Sequence, residues 1–129
     1  MDNVKQVANG EKHSMILKND GTVWSAGYGY IGTGYSSSGQ TTFTQITDLS
    51  DVKQICCSND STLFLKNDGT VWACGFNDYG EIGIDPETYI KTIAQVDITD
   101  VKKIACGYDF SILLKNDGTL WGTGANDDG

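Results

Sequence analysis

The sequence predicts an all-β fold of short antiparallel strands, and three observations predict it. One segment recurs at a period of 48 to 49 residues, and each copy turns on an Asn-Asp-Gly. No stretch carries apolar residues at i, i+3, i+4 and i+7 for long enough to form a helix. Sixteen glycines against a single proline, Pro86, with three Trp, six Tyr and four Phe in 129 residues, suit many tight turns between aromatic-rich strands.

The recurring segment is Leu17-Lys18-Asn19-Asp20-Gly21-Thr22-Val23-Trp24. It returns unchanged from Leu65 to Trp72 and, with Leu120 in place of valine, from Leu114 to Trp121. Upstream, Val4-Lys5-Gln6-Val7, Val52-Lys53-Gln54-Ile55 and Val101-Lys102-Lys103-Ile104 keep the same register. The chain therefore reads as one repeat domain, 1–129, with units of about 4–51, 52–100 and 101–129.

Each unit holds four strand candidates. Val52 to Cys57 is one; Thr62 to Lys66 turns through Asn67-Asp68-Gly69 into Thr70 to Gly75; the fourth is Ile93 to Ile98, matched earlier by Phe43 to Thr47. An Asn-Asp-Gly between apolar runs is a strong hairpin signal, because these residues accept the dihedrals of tight turns. Leu63-Phe64-Leu65 and Val71-Trp72-Ala73-Cys74 are apolar on both sides, as in sheets covered on both faces. Sheets stacked face to face, the blades of a β-propeller, satisfy that pattern.

Linker length then suggests blade order. Thr99 and Asp100 alone separate Ile98 from Val101, a reach of roughly 10 Å. Crossing a four-stranded blade needs about 14 Å. The short link is therefore expected to be a hairpin within a blade, and Phe76 to Thr92 the passage between blades. On that reading each blade begins with the Ile93-type strand and ends with the Trp-bearing one. The chain would hold about 2.75 four-stranded antiparallel blades: a first lacking its inner strand, then two complete ones ending near Gly124.

The net charge of −8 argues against a phosphate backbone and against an anionic membrane surface, since both recruit clustered cations. A basic or neutral protein partner fits better. Cys57 and Cys106 occupy one repeat slot, where the first unit has Asn9; Cys56 aligns with Ala8 and Ala105, and Cys74 with Ala26 and Thr123. Cysteines that alternate with small residues, and without a Cys-x-x-Cys pair, read as buried free thiols in a reducing, cytoplasmic setting. No metal or other cofactor is expected. No signal segment or membrane-length apolar run is visible.

Val101 to Gly107, Ser111 to Trp121, and Gly75-Phe76-Asn77-Asp78-Tyr79-Gly80-Glu81-Ile82-Gly83 together resemble the repeat of the regulator of chromosome condensation family, particularly its bacterial form. The likeness covers nearly the whole chain apart from the spacers. It implies a β-propeller, commonly of seven blades, that serves as a protein-interaction platform. The founding member is a nucleotide exchange factor for a small GTPase and binds chromatin, and some bacterial relatives inhibit a β-lactamase by clasping it. The sequence departs from the pattern in three places. The usual His-Ser pair survives only as His13-Ser14, the loop Gly27 to Gly34 lacks its Asn, and the last copy stops at Gly129. Eleven strands per chain do not multiply into whole four-stranded rings for two or three copies. A fragment of a longer propeller or a self-associating blade set, with contacts through exposed blade faces, is expected.

Each segment that could carry chemistry also has a plainer structural reading. The Asn-Asp-Gly segments continue as Thr-Val-Trp or Thr-Leu-Trp and lack the spaced ligands of a calcium loop. Trp24, Trp72 and Trp121 hold one repeat position and read as packing residues, and His13 as a turn histidine with its hydrogen bonds satisfied. Gly27 to Gly34 lacks the helix and the Lys-Ser/Thr of a phosphate cradle, and Tyr35 to Gln40 reads as a polar loop. No nucleophile elbow or acid-base pair is visible. What remains is a binding surface on the loops taken to join blades, carrying Tyr28, Tyr30 and Tyr35 in the first unit and Phe76, Asn77, Asp78 and Tyr79 in the second. The expected function is a non-catalytic scaffold for protein–protein interaction, with exchange on a small GTPase or enzyme inhibition as the alternatives the resemblance implies.

Overall fold

The computed structural model describes residues 1–77 and 89–124, and all the regular structure in them is β. Three antiparallel sheets follow one another along the chain. The first holds β1 (Val4–Asn9), β2 (His13–Lys18), β3 (Val23–Tyr30) and β4 (Tyr35–Gln45). The second holds β5 (Val52–Cys57), β6 (Ser61–Lys66), β7 (Val71–Phe76) and β8 (Tyr89–Gln95). The third holds β9 (Val101–Cys106), β10 (Phe110–Lys115) and β11 (Leu120–Gly124). In each sheet the strands pair in chain order, and β1, β5 and β9 adjoin one another as the inner rank. The fold is a stack of propeller blades.

Blade order is the reverse of the expectation. β8 pairs with β7, from Trp72 opposite Gln95 to Phe76 opposite Tyr89, so the segment after Phe76 stays inside a blade. The crossing between blades is instead made by residues 46–51 and 96–100. The reason is where β8 ends: Gln95 closes it, three residues before the expected Ile98, so the link has five residues instead of two. Five residues reach about 16–20 Å, enough to pass from outer to inner strand. Blades therefore begin at the Val52-type strand, and among the described residues it is the third that has three strands. Tyr35 to Gln40, expected as a loop, begins β4, with Tyr30 opposite Tyr35 and Gly27 opposite Gln40.

The recurring octapeptide builds a hairpin with its own internal bonding. Gly21, Gly69 and Gly118 take φ of 83°, 84° and 87°, and each donates its N–H to the lysine carbonyl three residues back. Asp68 Oδ1 accepts from both the N–H (3.0 Å) and the hydroxyl (2.6 Å) of Thr70, and Trp72 Nε1 donates to Thr70 Oγ1 at 3.0 Å. Lys66 Nζ then lies 4.8 Å from the centre of the Trp72 ring. The same set recurs at Asp20, Thr22, Trp24 and Lys18, and at Asp117, Thr119, Trp121 and Lys115. The three Trp positions are therefore structural corners of the blades.

These turns also stitch blades together. Val52 donates its N–H to Gly21 O at 3.2 Å, and Asn67 donates to Asp51 O at 2.9 Å, so the linker end lies between two turns. Val101, Gly69, Asn116 and Asp100 repeat the arrangement one blade later. Nearer the axis, Gln6 bridges blades through its amide: Nε2 donates to Ile55 O at 2.7 Å and Oε1 accepts from Ile55 N at 2.9 Å. Gln54 does the same to Ile104, at 2.7 and 3.0 Å.

The apolar core lies between blades. Met15, Leu17 and Val23 of the first sheet pack against Ile55, Phe64 and Cys74 of the second. Leu63, Leu65 and Val71, on the other face of the second sheet, pack against Ile104 and Leu113 of the third. Each fully buried aliphatic or aromatic side chain is worth about 1.5–3 kcal/mol, so cohesion comes from stacking and not from any single blade.

The expectation of four free thiols is corrected for two of them: Cys56 and Cys106 form a disulfide, with Cα atoms 5.7 Å apart. Cys57 and Cys74 remain thiols. The bond joins different repeat slots on successive blades, because stacked blades bring the Cys56 slot of one against the Cys106 slot of the next. The thiol argument for a reducing compartment falls with it.

Candidate interaction site

An up-and-down blade sends its β1–β2 and β3–β4 connections to one end and its Asn-Asp-Gly turns to the other. The first set therefore gathers at one end of the stack. There, residues 10–12, 58–60 and 107–109 form a chain of loops linked by main-chain bonds. Glu11 donates its N–H to Asn59 O, and Asn59 donates its N–H to Tyr108 O, both at 2.9 Å. Together with the ends of the inner strands they line an open groove of about 380 Å³.

Close approach fixes these loops. A Cβ on Gly10 would lie 2.1 Å from the His13 ring, and one on Gly107 would lie 2.2 Å from Phe110, which fills the same slot. Gly75, at φ 112°, would place a Cβ 2.4 Å from Asp60 O, so the hairpin and the next strand can meet only around a glycine. Tyr28 donates its N–H to Lys12 O at 2.9 Å and Phe76 donates to Asp60 O at 3.0 Å, tying the start of each β3–β4 type connection to its neighbour.

The titratable groups beneath this surface are sequestered. His13 is buried and bridges blades, its Nε2 2.9 Å from Thr62 Oγ1. Burial lowers its pKa from the ordinary 6.5, while the Asp60 charge and the Ser61 backbone pull less strongly the other way. Burial pushes the Cys57 thiol up to about 11, with a contact to Thr62 opposing, and raises Cys74 further, helped by Cys57. Both thiols are protonated at neutral pH and poor nucleophiles. Ser58 and Ser61 share a hydroxyl–hydroxyl hydrogen bond beneath the loop. Among the described residues no cluster of three or more His, Cys, Asp or Glu forms a metal site.

The aromatic residues singled out in the sequence fall as follows. Tyr28 and Tyr30 lie on β3, and Phe76 ends β7, so none sits on a linker between blades. Tyr30 and Phe76 come together across two blades, edge to face, with ring centroids 5.3 Å apart. Tyr28 is 52% exposed and covers Gly39 of β4. Asn77 is buried. The main chain of Tyr35 opens β4, and Asp78 and Tyr79 lie outside the described residues. Sequence reasoning missed Tyr108, 65% exposed at the rim of the groove. The available signal was internal: Glu11, Asn59 and Tyr108 share one repeat slot, and that slot changes character in every unit while the surrounding frame repeats.

A stack of meander sheets with a shared inner rank defines part of a β-propeller. The description "Regulator of chromosome condensation (RCC1) repeat" belongs to two family profiles that match, one over residues 52–81 and 101–129, the other over 68–114. The chain belongs to the RCC1 repeat family. Among solved structures it is similar to human WBSCR16 (24% identity, TM-score 0.83), covering 94% of this chain and 33% of that one. It is similar to yeast RCC1 (Prp20), solved bound to Kap60 (23%, TM-score 0.82; 96% of this chain, 30% of that one). The C-terminal domain of gp131 from bacteriophage phiKZ is more distant (14%, TM-score 0.58; 97% of this chain, 37% of that one). The chain spans about a third of the length of these structures. A comparison with curated protein sequences gave no match.

Proposed function

We propose that this chain is a non-catalytic protein-interaction module whose loop-bearing end is the recognition surface. One observation carries the reading: Tyr108 and Tyr28 stand exposed at the end where main-chain bonds lock successive loops into a rigid rim around a groove. Exposed tyrosines on a pre-ordered backbone are efficient anchors, since little conformational freedom is lost on binding. The net charge of −8 favours a basic partner. Yeast Prp20, whose structure is reported with its binding to Gsp1p and histones, supports this reading through its shared fold.

A photo-crosslinking residue placed at Tyr108 or Tyr28, compared with one at Asn19 on the opposite end, tests it in cells. The expected result is one distinct protein captured from both loop-end positions and not from Asn19. Equal capture from all three, or none, refutes the assignment. Exchange on a small GTPase is the finer alternative the family suggests, and release of labelled guanine nucleotide reads it directly.

A further inference from the structure

We propose that the Cys56–Cys106 disulfide is a reversible redox clamp on the loop end. Oxidised, it holds the loop at 107–109 against the loop at 58–60; reduced, it lets those loops part while the blades stay stacked. The clamp sets how the groove is held and is independent of what the groove binds.

Two blade interfaces of one design are fastened differently at this end. At the first, His13 Nε2 lies 2.9 Å from Thr62 Oγ1, a hydrogen bond that no redox change touches. The same slots at the second interface hold the shorter Ser61 and Ser111. Each of these bonds inside its own blade: the Ser61 hydroxyl pairs with that of Ser58, and the Ser111 hydroxyl donates to Cys106 Sγ at 3.8 Å. The disulfide stands where the His–Thr link is missing. Stacking does not require it. The first interface, with Ala8 in the Cys56 slot, keeps its amide pair from Gln6 to Ile55 and its buried apolar cluster without a sulfur bridge. The second has both as well, from Gln54 to Ile104 and among Leu63, Val71 and Leu113. Breaking the S–S bond therefore removes a tie beside the loops and leaves those that hold the sheets, the condition for local opening without unfolding.

The sulfurs are placed for exchange. Both cysteines are half-buried, and Cys106 lines the groove. The thiolate of an external dithiol attacks Cys106 Sγ; the Cys56–Cys106 bond breaks, and Cys56 leaves as a thiolate that takes a proton. The second thiolate of the reagent then attacks the mixed disulfide, closes the reagent's own S–S bond and releases Cys106. The protein gains the two electrons that the dithiol loses, and a disulfide reagent reverses the sequence. Cys57 and Cys74 stay out of it. They pack toward the first sheet, on the opposite face from Cys56, and burial keeps both thiols protonated, so no competing pair forms.

Amide hydrogen exchange on the whole chain, before and after reduction with dithiothreitol, tests the clamp. On reduction the Asn59 N–H, bonded to Tyr108 O, should exchange at least about tenfold faster. The Glu11 N–H at the first interface and the Ile104 N–H bonded to Gln54 should stay within about twofold of their oxidised rates. Alkylation of the reduced protein without denaturant should mark Cys56 and Cys106 and spare Cys57 and Cys74, and oxidised glutathione should restore the original exchange pattern. Chains carrying both Cys56→Ala and Cys106→Asn, the residues those slots hold in the first unit, should show the reduced pattern with or without dithiothreitol. A disulfide that reduces only in urea, alkylation of all four thiols together, or an Asn59 amide with the same rate in both states overturns the proposal and leaves the bond a fixed staple.

Discussion

Replacing Gln6 by leucine tests how blades hold one another near the axis. The amide makes two bonds to one residue of the next blade, accepting from Ile55 N at 2.9 Å and donating to Ile55 O at 2.7 Å. Leucine fills nearly the same volume, so packing changes little and the two bonds are what is lost. At about 0.5–1.5 kcal/mol each, the loss is roughly 1–3 kcal/mol, or about 5–10 °C in Tm for a domain of this size. The first interface is the clean place to measure it, because the second also carries the Cys56–Cys106 disulfide. Gln54→Leu should accordingly cost less in oxidised protein than in reduced protein. Thermal and urea unfolding give the magnitude, and hydrogen exchange at the Ile55 amide gives the location. A Gln6→Leu protein with unchanged Tm and an Ile55 amide still protected would refute the bridge.

Three further outcomes follow from the same geometry. Ala8 stands to Cys57 as Cys56 stands to Cys106, so Ala8→Cys should form a second disulfide between blades. It should leave Cys74 as the sole thiol in a denaturing titration and raise stability by about 2–4 kcal/mol; two additional titrating thiols would contradict it. His13 has its folded pKa below the ordinary 6.5, so the unfolded chain binds a proton that the folded chain resists. Stability should therefore fall as pH drops below about 6.5, and His13→Ser, the residue of the equivalent Ser61 slot, should flatten the urea midpoint between pH 5 and 7.5. Gly75→Ala sets a Cβ against Asp60 O at a φ of 112° and should cost about 3 kcal/mol or more, whereas Gly29→Ala, at φ 94° in open space, should cost only about 1–2 kcal/mol of backbone strain. Thermal melts of the two variants distinguish clash from strain.

Much of this fold could be read from residues that act on near neighbours. The Asn-Asp-Gly hairpins were legible because a turn and its two flanking strands span few residues, and the period was legible because Leu-Lys-Asn-Asp-Gly-Thr-Val-Trp repeats almost without change. Blade order was not, because it turned on β8 ending at Gln95 instead of Ile98. Residues 96–98 remain apolar-rich after leaving the sheet, since Val96 is buried beneath the blade and donates its N–H to Val71 O. An apolar run read as strand was in part a packed linker. The aromatic residues of the loop end were half-legible: the sequence marked Tyr28, Tyr30 and Phe76, but their placement on strands and the Tyr30–Phe76 contact depend on how two blades meet.

By itself the sequence determined the repeat, the all-β class, the hairpins and the family, all of which rest on local turn chemistry and on side-chain patterns within one unit. Only the tertiary structure decided which strand opens a blade, that Cys56 meets Cys106, that Gln6 and Gln54 bridge neighbours, and that Tyr108 stands at a groove. Each of those is a relation between successive units, some fifty residues apart along the chain and a few ångströms apart in space. A repeat pattern states what every unit contains; the rotation between stacked sheets decides which slots face each other.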